Sequence, residues 1–180
     1  FYCEVYLTVE EDTVVQDEIA IPADAVSMGV VYGVYDSIEL VLERLGFSYF
    51  TGSYDLLTAN DLIDGDTVMD YDILFIDCGV PLDNSRNADV QANLHDFVDA
   101  GGYLYTSDWS YSYIEETWPE AVNFVSPDAK IGEVGEVKAD ITDAVLAEAM
   151  GTDTMDIHFD LGSWAVIDSA GSGTTVHVSG

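Results

Sequence analysis

Ser107 and Asp108 directly follow the strand-like run Tyr103-Leu104-Tyr105-Thr106. A serine there can act as a nucleophile only if a base reaches its hydroxyl and a third group orients that base. The histidines of the chain are His95, His158 and His177. His95 stands between Leu94 and Asp96 on a helical repeat, and the other two stand in strand-like runs, so spacing sets none of them beside Ser107. Cys78 is the second candidate nucleophile, at the end of the most apolar strand run. Its reactivity needs the thiolate, which the nearby Asp77 and Asp83 disfavour. A structural thiol fits it better. With Cys3 as the only other cysteine, a Cys3–Cys78 disulfide and two reduced core thiols both stay open.

Asp61, Asp64, Asp66, Asp70 and Asp72 form the densest run of carboxylates. Calcium takes about six to eight oxygens at roughly 2.3–2.6 Å, and an acidic loop turning at Gly65 has the donors for it. The spacing departs from that of an EF-hand loop, and a solvated acidic face is the plain alternative. Trp109, Tyr111, Tyr113 and Trp118 form an aromatic cluster just after the run 103–106, where open α/β sheets take their ligands. Such rings can close a core, anchor a subunit interface or stack a sugar.

Charge narrows the partners. The chain has 180 residues with 4 Lys plus Arg against 35 Asp plus Glu, a formal net charge of -31. Nucleic-acid backbones and anionic lipid surfaces are repelled by such a field. Asp outnumbers Glu, 23 to 12. Screening by high salt, neutralisation by calcium, and simple extracellular solubility are the three explanations for acidity of this order. An apolar fraction of 48% is enough for a packed core. No run of about eighteen apolar residues occurs, so no helical membrane span is expected. The chain opens at Phe1 and closes in a strand-like run, which reads as a trimmed segment of a longer secreted protein.

The elements that must position these residues follow from periodicity. Residues 1–21 alternate like a hairpin arm, turning at the acidic 10–12 and closing at Pro22. Residues 26–34 form an apolar run fit for a strand buried on both faces. Asp36 or Ser37 can cap a helix in which Ile38, Val41, Leu42 and Leu45 recur, with Gly46 ending it. A short strand is expected at 47–50, a polar stretch with one helical turn at 56–69, and a strand at 73–77. A helix at 89–100 then ends at Gly101-Gly102, followed by the strand 103–106 and an aromatic helix up to Glu116. Beyond Pro127 the pattern gives β structure at 131–137, a helix at 142–150 and three β segments at 156–160, 163–167 and 174–178. Alternating strands and helices with short connections mean a parallel sheet covered on both faces. The expected fold is a flavodoxin-like three-layer α/β/α sandwich with a β-rich N-terminal arm, residues 1–22, and a C-terminal β extension within a domain of residues 23–180.

The run Tyr71-Asp72-Ile73-Leu74-Phe75-Ile76 before a glycine, and then Phe97-Val98-Asp99-Ala100-Gly101-Gly102-Tyr103-Leu104-Tyr105, resembles the class I glutamine amidotransferase-like superfamily, nearest its ThuA-like branch. The resemblance covers about residues 26–120. It implies that the strand 103–106 leads into a nucleophile elbow, where the family has a cysteine in a glycine-containing turn. Here Ser107-Asp108-Trp109 stands in that place, and Cys78 lies one strand earlier, where the family has oxyanion-hole glycines. An inherited cysteine nucleophile is therefore not expected. The sequence reads as a non-catalytic, secreted or cell-surface structural or interaction module. Its partners would be itself, in an extracellular polymer, or another surface protein. The alternatives are a hydrolase of carbohydrate or amide with Ser107 or Asp108 at the elbow, and a glycan-binding module using Trp109 and Trp118.

The charge makes a direct prediction. Thermal midpoints should rise from low salt to about 1 M NaCl, because the Debye length falls from about 10 Å at 0.1 M to about 3 Å. Equal midpoints would contradict this account of the acidity. A rise with millimolar calcium beyond that of matched ionic strength would mark a bound ion.

Overall fold

A strand buried on both faces needs apolar residues in succession, and Met28-Gly29-Val30-Val31 supplies them: all four are buried. This strand anchors the computed structural model, which describes residues 2–4, 18–20, 26–126, 128–160 and 162–180. The described chain divides into two compact units, Phe1–Thr106 and Ser107–Gly180.

Unit 1 begins with β1 (Tyr2–Glu4) and β2 (Glu18–Ala20), an antiparallel pair with Cys3 opposite Ile19. Of the expected arm these two paired strands are described; its turn at 10–12 and Pro22 lie outside the described residues. The elements that follow are β3 (Met28–Val31), α1 (Ile38–Arg44), β4 (Asp55–Leu57), α2 (Gly65–Val68), β5 (Ile73–Ile76), α3 (Leu82–Ser85), α4 (Ala88–Asp99) and β6 (Tyr103–Thr106). The four later strands form one parallel sheet in the order β4-β3-β5-β6, with Met28 opposite Ile73 and Ile73 opposite Tyr103. This is a flavodoxin-like α/β arrangement.

From β3 the chain steps to β4 on one side, and from β5 to β6 on the other. Right-handed crossovers then place α1 on one face and α4 on the opposite face. On the α1 face Met28, Val30, Ile73 and Phe75 pack with Ile38, Leu42 and Tyr54. The alternate residues Val31, Leu74 and Ile76 are fully buried, as are Val90 and Leu94, the inward row of α4. Gly29 gives the centre room: a Cβ there would come within 2.8 Å of Leu57 Cδ1 and 2.9 Å of Leu74 Cδ2, so both leucine side chains would have to shift.

Within unit 1, one strand of the parallel sheet lies elsewhere than periodicity places it. Residues 47–50 do not form the second strand. Tyr49–Thr51 makes a 3-10 turn closed by Gly52 in the left-handed region at φ 71°. The strand is instead Asp55–Leu57, of which Leu57 alone is buried. An edge strand with one inward residue has no alternation to read.

Unit 2 holds α5 (Tyr111–Thr117), β7 (Val122–Phe124), β8 (Gly135–Ile141), α6 (Ala144–Met150), β9 (Thr154–Phe159), β10 (Ile167–Ala170) and β11 (Val178–Ser179). They form two small antiparallel sheets, β10-β7 and β11-β8-β9. The C-terminal β extension is therefore present, with shifted bounds. Residues 131–134 are loop because Gly132 donates to Trp164 O at 2.9 Å and lies against its ring, where a Cβ would come within 2.1 Å. Helix α6 starts at Asp143, whose Oδ1 accepts the N–H groups of Val145 and Leu146, and ends at Gly151 in the left-handed conformation.

Candidate functional site

Where crossovers leave a sheet in opposite directions, the loops at the carboxyl ends of the two central strands part and open the usual ligand crevice of an α/β sheet. In unit 1 these strands are β3 and β5. Their loops are drawn together. The Cys78 carbonyl accepts the N–H groups of Val34 at 3.0 Å and Tyr35 at 3.1 Å. In return the Cys78 N–H donates to Asp36 Oδ1 at 2.5 Å. Gly33 permits the approach: a Cβ at that position would lie 2.2 Å from the Cys78 oxygen. Gly79 completes the turn at φ 85°, a left-handed conformation that favours glycine.

Asp77 lies beneath this lock and is fully buried. Burial pushes its carboxyl up to about 7, and the charges of Asp36 and Glu39 add to the shift. The backbone N–H groups of Ile38 and Gly33 act in the opposite sense by favouring the ionised form. Ile38 is the first residue of α1, and the N-cap Ser37 makes no side-chain capping bond. An acid from the neighbouring strand thus lies near the helix N-terminus, where negative charge is favoured. A carboxyl titrating near neutrality has the right range for proton transfer. Around it stand the carboxylates of Asp36 and Glu39 as well as the backbone of the loop after β3.

Asp36, Asp77 and Gly33 escape a reading of the sequence alone. Asp36 stands at a helix start, where an aspartate is commonplace. The one available signal for Asp77 is an acid closing an otherwise apolar strand.

The residues singled out by sequence are spread over both units. Ser107 is extended and half-buried at the start of a 3-10 turn, Asp108–Ser110. Asp108 has φ 36°, a left-handed conformation, and its Oδ1 accepts the Ala165 N–H at 2.6 Å. The Trp109 indole N–H donates to Ser163 O, and Lys130 Nζ sits over the ring, 4.9 Å from its centroid. Tyr111 packs on Phe124 at 4.8 Å, Tyr113 is fully buried and its hydroxyl pKa is raised by that burial, and Trp118 is half-buried. Each histidine has a carboxylate neighbour in its own unit: His95 with Asp99 at 3.4 Å, His158 with Glu136 at 3.6 Å and His177 with Asp143 at 2.5 Å.

In the acidic loop, Asp61 accepts the Thr58 hydroxyl and N–H, both at 2.7 Å, and these bonds hold its pKa below the ordinary carboxylate value. Asp64 caps α2 through the Asp66 N–H and the Thr67 hydroxyl. Asp66 and Asp70 are exposed. Among the described residues no three His, Cys, Asp or Glu side chains converge as metal ligands. Cys78 is buried; of Cys3 only the backbone pairing is described.

No family model and no curated protein matches this chain. Among solved structures, a Thermoplasma acidophilum protein assigned as a subunit of GMP synthase is similar, with a TM-score of 0.56 and 16% identity. The match covers 85% of this chain and 72% of that one. The shared feature is the fold. That fold is the flavodoxin-like α/β arrangement described above. At that identity the likeness carries no activity from one chain to the other.

The buried acid sets a pH dependence. A folded-state value of about 7, above the ordinary 3.8, means that the folded chain keeps a proton the unfolded chain has lost. Stability from this group is full below the unfolded value and is lost as pH rises through the folded one. Asp77→Asn should therefore raise the thermal midpoint relative to the parent at about pH 8, and the two should converge toward about pH 4. Comparing the two chains cancels the remaining carboxylates. Parallel melting curves across this range would show that Asp77 ionises without strain.

Proposed function

We propose that this chain is a non-catalytic structural or interaction module on an amidotransferase-like scaffold of the ThuA-like branch, secreted or held at a cell surface. The observation that carries the reading is the closed switch point. The backbone N–H groups of Val34, Tyr35 and Cys78, which could otherwise stabilise a substrate oxyanion, are bonded to Cys78 O and Asp36. The elbow position supports it too, since the Asp108 carboxylate already holds the Ala165 amide.

Association is the remaining role. Helix α1 exposes Leu40, Val41 and Leu45, and the turn after it exposes Phe50 at 92%. Exposed apolar side chains on so acidic a chain favour contact with a second copy or another surface protein. Cations, calcium among them, would weaken the repulsion between copies.

A hydrolase acting through Ser107 or Asp108 is the second reading, favoured by one observation. A non-glycine residue in the left-handed region directly after a wound strand is the geometry of a nucleophile elbow. Glycan binding through Trp109 and Trp118 is the third; the Lys130 ammonium over the Trp109 ring competes with a sugar for that face.

Turnover of glutamine, ester, amide and glycoside substrates decides among them. The parent chain, Ser107→Ala and Asp108→Asn should all match the blank, while sedimentation shows association that strengthens with salt. A parent activity that falls about a hundredfold, roughly 2.7 kcal/mol, in either variant would install the hydrolase. A monomer at every salt concentration would remove the assembly role.

A further inference from the structure

Strands β8 and β9 of unit 2 form its longest ladder, from Gly135 opposite Phe159 to Asp140 opposite Thr154. Alternation gives this ladder two unlike faces. Glu136, Lys138, Asp140, Asp156 and His158 point one way and are exposed. Val137, Ala139, Ile157 and Phe159 point the other way, with Val137 directly opposite Ile157. In a closed two-layer fold that apolar face would be covered by side chains. Here it is covered only in part, by Gly180 against Val137 and Ala139 and by Trp164 on Phe159, and it borders a cavity of about 690 Å³ that Ile167 also lines.

That volume falls within the roughly 300–1,000 Å³ typical of small-molecule sites, which are mainly apolar with a few polar groups at their edges. Part of the lining is preset. The Trp164 ring lies flat on Phe159, with centroids 4.0 Å apart and planes 12° apart, and its indole N–H donates to Glu133 O at 2.9 Å. An aromatic pair fixed in this way has little rotamer freedom to lose when a ligand arrives. The polar edge includes Asp168 and His177, and the His177 ring is bonded to Asp143.

Charge selects among apolar ligands. A chain with a net charge of -31 repels fatty acids and other carboxylates and attracts amines. The Asp168 carboxylate at the cavity edge adds a local partner for an ammonium group. From the partly uncovered apolar face, the cavity's size and its acidic edge, we infer that unit 2 binds a small apolar amine, with its hydrocarbon body against Val137, Ile157 and the stacked Phe159–Trp164 pair and its ammonium group toward Asp168. This site is independent of the role proposed for the switch point of unit 1.

Three probes that share one ring test it: 1-naphthylmethylamine, 1-naphthalenemethanol and 1-naphthylacetate. Titrations followed by calorimetry on the whole chain should show saturable binding of the amine, weaker binding of the alcohol and none of the carboxylate. Ile167→Trp, at a position 60% exposed and so tolerant of bulk, should weaken amine binding roughly tenfold by filling the cavity. Val137→Trp tests the same from the opposite wall. Asp168→Asn should bring the amine down to the affinity of the alcohol and leave the alcohol unchanged. The inference is overturned if none of the three probes saturates, if both filling variants bind the amine as the parent does, or if the three probes bind alike.

Discussion

The Cys78 carbonyl accepts two backbone N–H groups from the loop after β3, and much of unit 1 is arranged to permit that approach. Gly33 is needed because any side chain would collide with the carbonyl. Asp36 is needed because the Cys78 N–H faces away from the β3–β5 ladder and requires an acceptor. Asp77 then lies where no water reaches, and its ionisation is made costly by the same closure that joins the loops. An open α/β sheet keeps the carboxyl ends of its central strands apart in order to bind something there. This one bonds them to each other, and the proposed loss of catalysis follows from that arrangement.

The acidity has a structural side as well. With 4 basic residues available to 35 acids, carboxylates cannot in general be satisfied by ion pairs. Several are bonded instead to backbone and hydroxyl donors nearby in the chain or in space. Asp64 and Asp143 cap helices, Asp61 closes a turn onto Thr58, and Asp72 takes both the N–H and the hydroxyl of Ser27. Such bonds hold the carboxyls of Asp61, Asp72 and Asp143 below their ordinary value, so these groups stabilise the folded chain once ionised. Asp77 acts in the opposite sense. Acid and base therefore test different parts of the molecule.

Much of the fold is legible in the amino-acid sequence, for reasons tied to particular residues. The apolar succession of β3 and β5 and the helical repeat Val90, Leu94, Phe97 each carry a period that one sequence displays. Strand β4 is hidden because Asp55 and Leu56 are exposed and only Leu57 turns inward, while the aromatic run before it curls into a turn at Gly52. Of the candidate residues, the elbow place of Ser107 and Asp108 can be read from the strand before it. The bond that closes the crevice cannot. It joins residues 42 apart in sequence through a carboxylate and a backbone amide, and no periodicity encodes such a pair.

The switch-point amides are locked inside the chain and unavailable to a ligand. Amide hydrogen exchange resolved at Val34, Tyr35 and Cys78 measures this directly. Protection at these three residues should be comparable to that of Val30 and Leu74 in the strands themselves. Exchange at the rate of an exposed loop, with β3 and β5 still protected, would contradict the claim: the crevice would then open in solution, with its N–H groups free to bind a substrate.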